Sequence, residues 1–459
     1  MTLKYRRILY LSFIAVFLIV TPIVTFYAAG YRYNLKRHRI EKTGILYIDS
    51  RPKQAMILIN GKYENETPAR FPNLIPDVYQ VEVKKEGYHP WQKNLEVKSN
   101  LTTFAKDIVL FKDNLPISLV LGNINFFSLS PSQDKIVYSI IKDKTEQLRL
   151  LNLNNKSDFL ISEFNYQKKS GLSLVDWSEN QNKLLLKSTE KDFNNFLIVD
   201  IDTLKIKKIS DISKINFEKI TWDETNESYL YGLNEDNLYQ IDLANSLAKP
   251  IITEKIKDFQ AKGAVIYYIS QTDNGSFLNK AYVIKPTQPV DKIEKIRLTL
   301  NNEFSLLPSP ADYLVLSDQK NGDLFLINTQ AFTDGDINKH ITLQDQAKKI
   351  FWSKDEKNLL ALTDFEIWTF DLVTQQKSLI TRYGSIINDA KWYPTNKYVI
   401  YQVENKISSI EASLLEPRND IKIAELPEIK DFFIDDSGKN LYFKTSAANL
   451  WGIYSLQLQ

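Results

Sequence analysis

The chain has 459 residues, with 58 Lys and Arg against 56 Asp and Glu, three His and no Cys. An apolar share of 43% with 25% charged residues suits packed globular structure and speaks against bulk disorder. The missing cysteines exclude disulfides, thiol catalysis and thiolate-bound zinc or iron–sulfur clusters, and three histidines leave little for a metal cage or a His-based triad.

The near-neutral total conceals an asymmetry. Residues 1–42 hold eight basic side chains (Lys4, Arg6, Arg7, Arg32, Lys36, Arg37, Arg39 and Lys42) and one acid, Glu41, so they carry +7; the whole chain is +2, which leaves −5 for the rest. A mildly acidic body is a poor nucleic-acid binder, because counterion release needs clustered cations on the binding face. The basic cluster instead marks a membrane boundary. Between its two halves, residues 8–29 carry no charge, and their only polar side chains besides tyrosines are Ser12, Thr21 and Thr25. As a helix this segment is about 33 Å long, enough for a hydrocarbon core of about 30 Å, and Pro22 is tolerable within it. A cleaved leader would have an apolar run of about 7–15 residues ending in small side chains. Here the run is longer and Phe26 and Tyr27 precede Ala28 and Ala29, so the expectation is an uncleaved anchor contacting the bilayer through residues 8–29. Basic residues flank both sides, and the positive-inside rule discriminates little. The expected orientation is a single pass through the cytoplasmic membrane with the N-terminus inside and the body extracytoplasmic, since the body carries no cytosolic enzyme motif. Tyr27, Tyr31 and Tyr33 suit an interfacial aromatic belt.

Residues 1–42 therefore read as anchor and basic stem. From residue 43 the hydrophobic period becomes two. Ile45–Ile48 and Ala55–Ile59 read as strands, and Asn60-Gly61 is a type I′ hairpin signal, because both central positions need positive φ. Thr67-Pro68 and Pro72 punctuate a loop, Tyr79–Val83 alternates, Gly87-Tyr88 turns, Trp91 returns to the core, and Leu95–Val97 and Ile108–Phe111 supply further strands. The expected product over residues 43–112 is a small sandwich of antiparallel strands. This stretch resembles a PEGA domain, on Ser50-x-Pro52, Ala55, Asn60-Gly61, Thr67-Pro68, Pro76, Tyr79-x-Val81 and Gly87-Tyr88 with Trp91. Gln54 and Asp77 stand where that family usually has Gly; Asp tolerates left-handed backbone better than most residues. The resemblance implies an interaction or spacer module of microbial envelope proteins, and it transfers no catalytic residue.

Residues 113–459 repeat. An anchor, a polar turn and an apolar strand recur: Trp177-Ser178 leads to Leu184-Leu185-Leu186, Trp222-Asp223 to Tyr229-Leu230-Tyr231, Trp352-Ser353 to Leu359-Leu360-Ala361, and Trp392-Tyr393-Pro394 to Tyr398-Val399-Ile400. Fainter copies start at Leu129, Phe259, Leu307 and Ile434, giving anchor spacings of 48, 45, 37, 48, 45, 40 and 42 residues. That matches a four-stranded propeller blade of about 40–45 residues. A third strand ends in Asp200, Asp242, Asn328 or Asp371, where a short side chain bonds its own turn. The fold class expected is all-β: a transmembrane helix, a PEGA-like sandwich and a β-propeller of eight blades. Seven is the fallback, because the fourth and fifth copies are blurred. Ile117–Leu121 is a spare strand that would complete the last blade, whose third strand is near Trp451. The segment resembles the WD40-like propellers of the TolB type, through Ser130-Pro131-Ser132-Gln133-Asp134 and Asp435-Asp436-Ser437-Gly438. Anchor, module and propeller together look like bacterial cell-envelope proteins.

No candidate chemistry survives its simpler explanation. His38, His89 and His340 have no second His at ligand spacing and read as loop residues. Asp334-Gly335-Asp336 and Asp435-Asp436 lack the alternating pattern and closing Glu of a calcium loop and read as turns. Asp200 and Asp202 likewise read as turn formers. No G-x-S-x-G, Walker, G-x-G-x-x-G or H-E-x-x-H string occurs. The recurring tryptophans read as core anchors, whereas Tyr267, Tyr268 and Tyr383 are candidate exposed aromatics for stacking. No catalytic, cofactor or metal residue is assigned, and no binding residue is singled out. The expectation is a non-enzymatic, membrane-tethered binding or scaffold protein meeting protein, peptide or glycan partners of the envelope; the alternative is an envelope glycan lyase or hydrolase with its site in the propeller funnel.

Overall fold

The computed structural model describes all residues except 1–2, 167–170, 179, 181, 191–192, 236, 274, 284–285, 291–292, 299–302, 414–416 and 448–449. The chain divides into two compact units: Met1–Leu115 with Ser408–Ile423 and Gln457–Gln459, and Pro116–Ile407 with Ala424–Leu456.

The first unit begins with a helix, Leu3–Ala28, that includes Pro22. Its large apolar side chains are solvent-exposed around the circumference, and Tyr5–Ala28 is long and apolar enough to cross a membrane. The hydroxyls of Ser12 and Thr25 donate back to the carbonyls of Leu9 and Thr21, both at 2.8 Å, which satisfies them inside the helix. Gly30, at φ +86°, then turns the chain into a hairpin of Tyr31–Asn34 and Arg39–Lys42.

Two sheets follow. One is ordered Lys62–Glu66, Met56–Ile59, Asp77–Lys84, Trp91–Val97; the other is Ala69–Leu74, Gly44–Arg51, Thr102–Val109. Leu46, Ile48, Ile57, Val81, Val83, Trp91 and Leu95 fill the space between them. The Asn60-Gly61 hairpin forms as read, with φ of 51° and 78° and Ile59 opposite Lys62. The Ser50 and Thr67 hydroxyls lie 2.7 Å apart, and Thr67 Oγ1 accepts the Ala55 N–H at 3.1 Å. These family positions therefore pin a turn.

Two expectations need correction. Pro72 lies within a strand and not a loop; that strand is an edge, and its register with Gly44–Arg51 slips there, which is where a sheet tolerates proline. The strands are not all antiparallel, because Gly44–Arg51 pairs with Thr102–Val109 in parallel. Of the two departures from family glycines, Gln54 takes the left-handed conformation, at φ +58°. Asp77 opens a strand and holds Lys36 Nζ at 2.5 Å.

Also in this unit, Glu411 is buried between Trp91 and Lys93. Its carboxylate accepts from Trp91 Nε1 and Lys93 Nζ, both at 2.6 Å, and from the Asn419 N–H at 3.3 Å. The ion pair is 4% and 8% exposed, so removing either partner leaves a desolvated charge.

The repeat lies in the second unit, except that residues 408–423 and 457 of its sheets group with the first. Eight four-stranded antiparallel sheets occur among the described residues, here blades 1 to 8. Blades 1 to 7 span 123–165, 171–208, 219–253, 256–297, 304–346, 349–382 and 387–425; blade 8 is 430–457 with Ile117–Leu121. Apolar clusters join successive blades. Leu148 and Leu150 meet Leu184 and Leu186; Leu185 and Ile198 meet Trp222; Leu233 meets Phe259; Tyr267 and Ile269 meet Leu306; Val315 and Leu326 meet Leu359 and Trp368. Phe127 and Tyr138 meet Tyr442 and Ile453, which closes the ring from blade 8 to blade 1. The eight-blade reading is the correct one. Ile117–Leu121 pairs antiparallel with Leu450–Gln457, so the start of the unit completes its last blade and leaves no open seam.

The degenerate turn motif has a defined mechanical role. Backbone N–H groups of Lys135, Lys183 and Asn358 donate to the hydroxyls of Ser130, Ser178 and Ser353 (3.1, 3.1 and 2.9 Å), and Asn440 donates to Asp435 at 3.1 Å. At third-strand ends, Asp200, Asp242, Asn328 and Asp371 each accept the N–H two residues on, as read, and Asn152 does the same in blade 1. The anchor place of blade 4 needs correction. Phe259 is in mid-strand, and the strand's last residue, where the other blades carry their anchor, is Lys262. This changes the spacings of 37 and 48 to 40 and 45 residues (262 − 222 and 307 − 262).

Two stability outcomes follow. A Cβ on Gly452 would stand 2.2 Å from the Val120 carbonyl oxygen across the closing pair, whereas one on Gly384 meets nothing within 4 Å. Gly452→Ala should cost about 2–3 kcal/mol and lower the thermal midpoint by several degrees, with Gly384→Ala within about 0.5 kcal/mol of the parent; equal midpoints by circular dichroism would contradict the closing role. Gln54→Gly should raise urea stability by up to about 1 kcal/mol, because relief of left-handed strain exceeds the added unfolded-state entropy. A loss of stability would refute that account.

Candidate functional site

The sequence candidates lie mostly in turns. His38 is exposed at the tip of the first hairpin, and His89 Nε2 is 3.8 Å from Asp113. His340 ends a short 3-10 turn in blade 5. Asp336 accepts the Asn338 N–H at 3.0 Å, and the side chain of Asp334 lies outside the described residues. Asp435 holds its own turn, and Asp436 pairs with Lys354 at 2.7 Å. Backbone N–H groups of Thr203 and Asp202 hold the Asp200 carboxyl below the usual carboxylate range, as expected of a turn former. Among the described residues, no three His, Asp or Glu are grouped to hold a metal ion.

The aromatics divide differently from the reading. Tyr267 and Tyr268 are buried, at 5% and 0% exposure, so they are core rather than stacking surfaces; Tyr268 donates to Glu254. Tyr383 is half-buried and hydrogen-bonded to Tyr401. The anchors Trp177, Trp352 and Trp392 are half-buried and reach the preceding blade, where their indole N–H groups donate to Ser128 Oγ (3.3 Å), Pro308 O (2.8 Å) and Phe351 O (3.2 Å). They anchor blades to one another, with Trp222 and Trp368 buried outright.

At the seams of blades 1–2, 2–3, 4–5, 6–7 and 7–8 the first strands pack on one another, which places them innermost. In blades 1, 2, 4, 7 and 8 this strand carries one extra residue opposite its neighbour. Such bulges re-aim side chains at the rim of a closed structure. Asp258 and Asp389 directly follow their bulges. Lys219 of blade 3 donates to Asp258 of blade 4 at 2.7 Å, and Asp258 accepts the Leu306 N–H of blade 5 at 2.8 Å. Lys349 of blade 6 reaches Asp389 of blade 7 at 3.2 Å. Lys444 of blade 8 reaches the Asn125 carbonyl of blade 1 at 2.8 Å, and Glu146 of blade 1 accepts the Leu172 N–H of blade 2 at 3.1 Å. A polar belt thus stitches five of the seams. Burial holds Lys391 below the usual lysine range, and burial pushes Lys262 down to about 8. Lys262 Nζ donates to Ser309 Oγ, Pro310 O and Tyr313 O at 2.8, 2.6 and 2.5 Å, fixing the turn of blade 5 from the end of blade 4's first strand.

A cavity opens beside this belt at the seam of blades 4 and 5. It measures about 1050 Å³. Lys257, Asp258, Asp273 and Arg297 of blade 4 and Glu303 and Gln319 near the start of blade 5 line it. Its apolar floor contains Leu298 and Phe304, and the same two residues line an adjoining apolar slot of about 230 Å³ with Leu316, Phe325, Ile327 and Ile341. Gln319 donates to Ser305 Oγ at 2.6 Å and Leu298 N–H to the Ser276 carbonyl at 2.9 Å, which orders the rim. Gln271, Thr272 and Gln319 are exposed polar groups at the mouth. The arrangement offers hydrogen-bonding edges above a slot that accepts one large side chain, since even a cavity of about 150 Å³ holds a benzene ring. The sequence reading picked out none of these residues; its one signal there was the blurring of the fourth and fifth copies.

Residues 43–111 match the PEGA domain family. Residues 117–457 form the β-propeller. No curated protein sequence matches the chain. Similar solved structures include dihydro-heme d1 dehydrogenase NirN in complex with DHE, at 11% identity over 74% of this chain and 76% of that one, with a TM-score of 0.50. The Dos1 propeller covers 75% of this chain and 95% of its own at 14% identity, with a TM-score of 0.48. The Swd1 β-propeller domain of Myceliophteria thermophila covers 75% and 99% at 13% identity, with a TM-score of 0.43. At such identities the likeness concerns the fold alone.

The belt yields a directional outcome. Asp258→Ala leaves the Leu306 N–H without its acceptor and takes from Lys219 its carboxylate partner, leaving it the Phe259 carbonyl at 2.8 Å, and should cost roughly 2–3 kcal/mol in urea unfolding. Lys219 is 36% exposed, so solvent screening reduces its share, and Lys219→Ala should cost less than about 1 kcal/mol. Equal effects would show that Asp258 acts only as a counter-ion.

Proposed function

We propose that this protein is a membrane-tethered binding protein whose propeller captures an extended polypeptide segment in the seam of blades 4 and 5. The single observation that carries the reading is the paired geometry of that seam: a mixed-charge, hydrogen-bonding cleft joined through Leu298 and Phe304 to an apolar slot. A peptide backbone needs partners of the kind Gln271, Thr272 and Gln319 offer, and one bulky side chain suits the slot. Loops and edges on a rigid closed ring are where recognition sits.

Binding rather than catalysis is the second part of the reading. Buried carboxylates near the ring axis are committed to structure: Glu146 holds Asn125, Ser139 and the Leu172 N–H, and Asp258 holds Lys219 and the Leu306 N–H. The helix Leu3–Ala28 serves in this account as a retained anchor, with the body outside the cytoplasmic membrane in a bacterial cell envelope. Its length and apolar composition support that role, and a cleaved leader is the competing outcome.

Photo-crosslinking of the full chain in its native membranes tests both parts. A crosslinker at Gln319 or Thr272 should give a discrete protein adduct, and one at exposed Val373 of blade 6 should not. Matching adducts at all three positions, or none at the cleft, would refute the cleft. Carbonate-washed membranes should retain a chain that still contains residues 8–29; a product starting near residue 30 would refute the anchor.

A further inference from the structure

The hairpin that follows the helix has two dissimilar faces. Its register sets Tyr33 opposite Ile40, Arg32 opposite Glu41 and Asn34 opposite Arg39. By strand alternation Tyr33 and Ile40 share one face and Asn34 belongs to the other. Asn34 is 4% exposed, so its face is turned inward, whereas Tyr33 and Ile40 are 52% and 64% exposed and Leu35 in the connecting turn is 76% exposed. An outward apolar face in an isolated two-stranded hairpin has no reason to persist in water.

This hairpin is nevertheless built and fastened. Asn34 Nδ2 donates to Glu41 at 2.7 Å, and Asn34 Oδ1 accepts the N–H groups of Lys36 and Arg37 at 3.0 and 3.1 Å. Arg32 Nη1 donates to the carbonyls of Tyr27 and Tyr31 at 2.7 and 2.8 Å, and its guanidinium lies 3.4 Å from the centre of the Tyr27 ring. Phe26 meets Tyr31 edge-on at 5.4 Å. The hairpin is thereby tied to the last turn of the helix, at the level where an inserted helix leaves the hydrocarbon. Five cations, Arg32, Lys36, Arg37, Arg39 and Lys42, stand against Glu41, a net +4 within the hairpin. Lys36 also reaches Asp77, and Arg37 and Arg39 flank Glu41, yet these three side chains remain 80%, 50% and 61% exposed.

We propose that residues 31–42 form an interfacial foot that lies in the headgroup layer of the membrane the helix spans. Tyr33, Leu35 and Ile40 enter the boundary of the acyl chains, and Lys36, Arg37 and Arg39 select anionic lipid headgroups. Basic residues beside an apolar wedge are the composition of surface-lying membrane elements, and each signal alone is weak. The inference rests on the helix being a retained anchor.

The absence of cysteine allows single-site labelling of the full chain. Leu35→Cys, Ile40→Cys, Phe17→Cys and Lys62→Cys, each carrying one fluorophore, are reconstituted into nanodiscs of phosphatidylcholine with or without phosphatidylglycerol, plus a nitroxide lipid as quencher. In anionic discs the lipid should quench labels at 35 and 40 at least about threefold more than at 62, and salt near 1 M or pure phosphatidylcholine should remove most of that difference. Quenching at 17 with none above the level of 62 at 35 and 40 overturns the foot and leaves the anchor standing. Quenching at 35 and 40 that ignores lipid charge overturns the selection of anionic headgroups. No quenching at 17 overturns the anchor and the foot together.

Discussion

The second unit depends on one strand pair. Blades held side by side still leave two raw edges unless first and last join, and here Ile117–Leu121 supplies the outer strand of a sheet whose other strands come from residues 430–457. Gly452 marks how close that approach is, since no side chain fits between it and the Val120 carbonyl. Because the strand that closes the ring comes from the start of the unit, every seam between is held at fixed width. A cleft at one seam then has a defined shape without support from a second layer of structure.

Closure alone does not decide how blades meet near the axis. Leucine, isoleucine and aromatic side chains fill the wedges between sheets, but the first strands are short and crowd together, and there the contacts are polar. Most of these ion pairs are partly exposed and individually contribute little, by screening and side-chain entropy. Their value lies in the backbone groups that they also satisfy. Asp258 and Glu146 each accept an N–H from the next blade, and that donor would otherwise be an unmet desolvation cost. The bulges are part of this device, because an extra residue turns a carboxylate sideways to the neighbouring sheet instead of straight into the channel.

What was legible in the sequence is what repeats locally. The anchor, the Ser or Asp turn and the Asp- or Asn-ended third strand recur at blade spacing because each performs the same short-range hydrogen bond, so eight blades and the closing strand could be read in advance. Pairings across long separations left no local trace. Glu411 finds Trp91 and Lys93 more than 300 residues away, and the parallel partner of Gly44–Arg51 lies beyond five other strands. From the sequence, Tyr267 and Tyr268 read as candidate exposed aromatics, and they lie in the second strand of blade 4. In a blade, both faces of the second strand are covered by neighbouring sheets, so both tyrosines are core.

The faint copies are where the reading and the site meet. In blades with a clear motif, an aromatic anchor fills the strand end and reaches back to the previous blade, while Ser or Asp holds the following turn. Blade 4 puts Lys262 at that strand end, and the lysine spends all three donors forward, on the turn of blade 5. Blade 5 begins with Phe304–Leu307, whose aromatic ring comes at the start of the strand and sits over the slot rather than at its end. Both departures fall at the same seam, where the described cleft also lies. Burial of that lysine is costly, and its three hydrogen bonds across the seam offset the cost. The degeneracy that blurred the count of blades thus coincides with the seam where the described cleft lies, because a repeat loses its local signature where its strand-end contacts change.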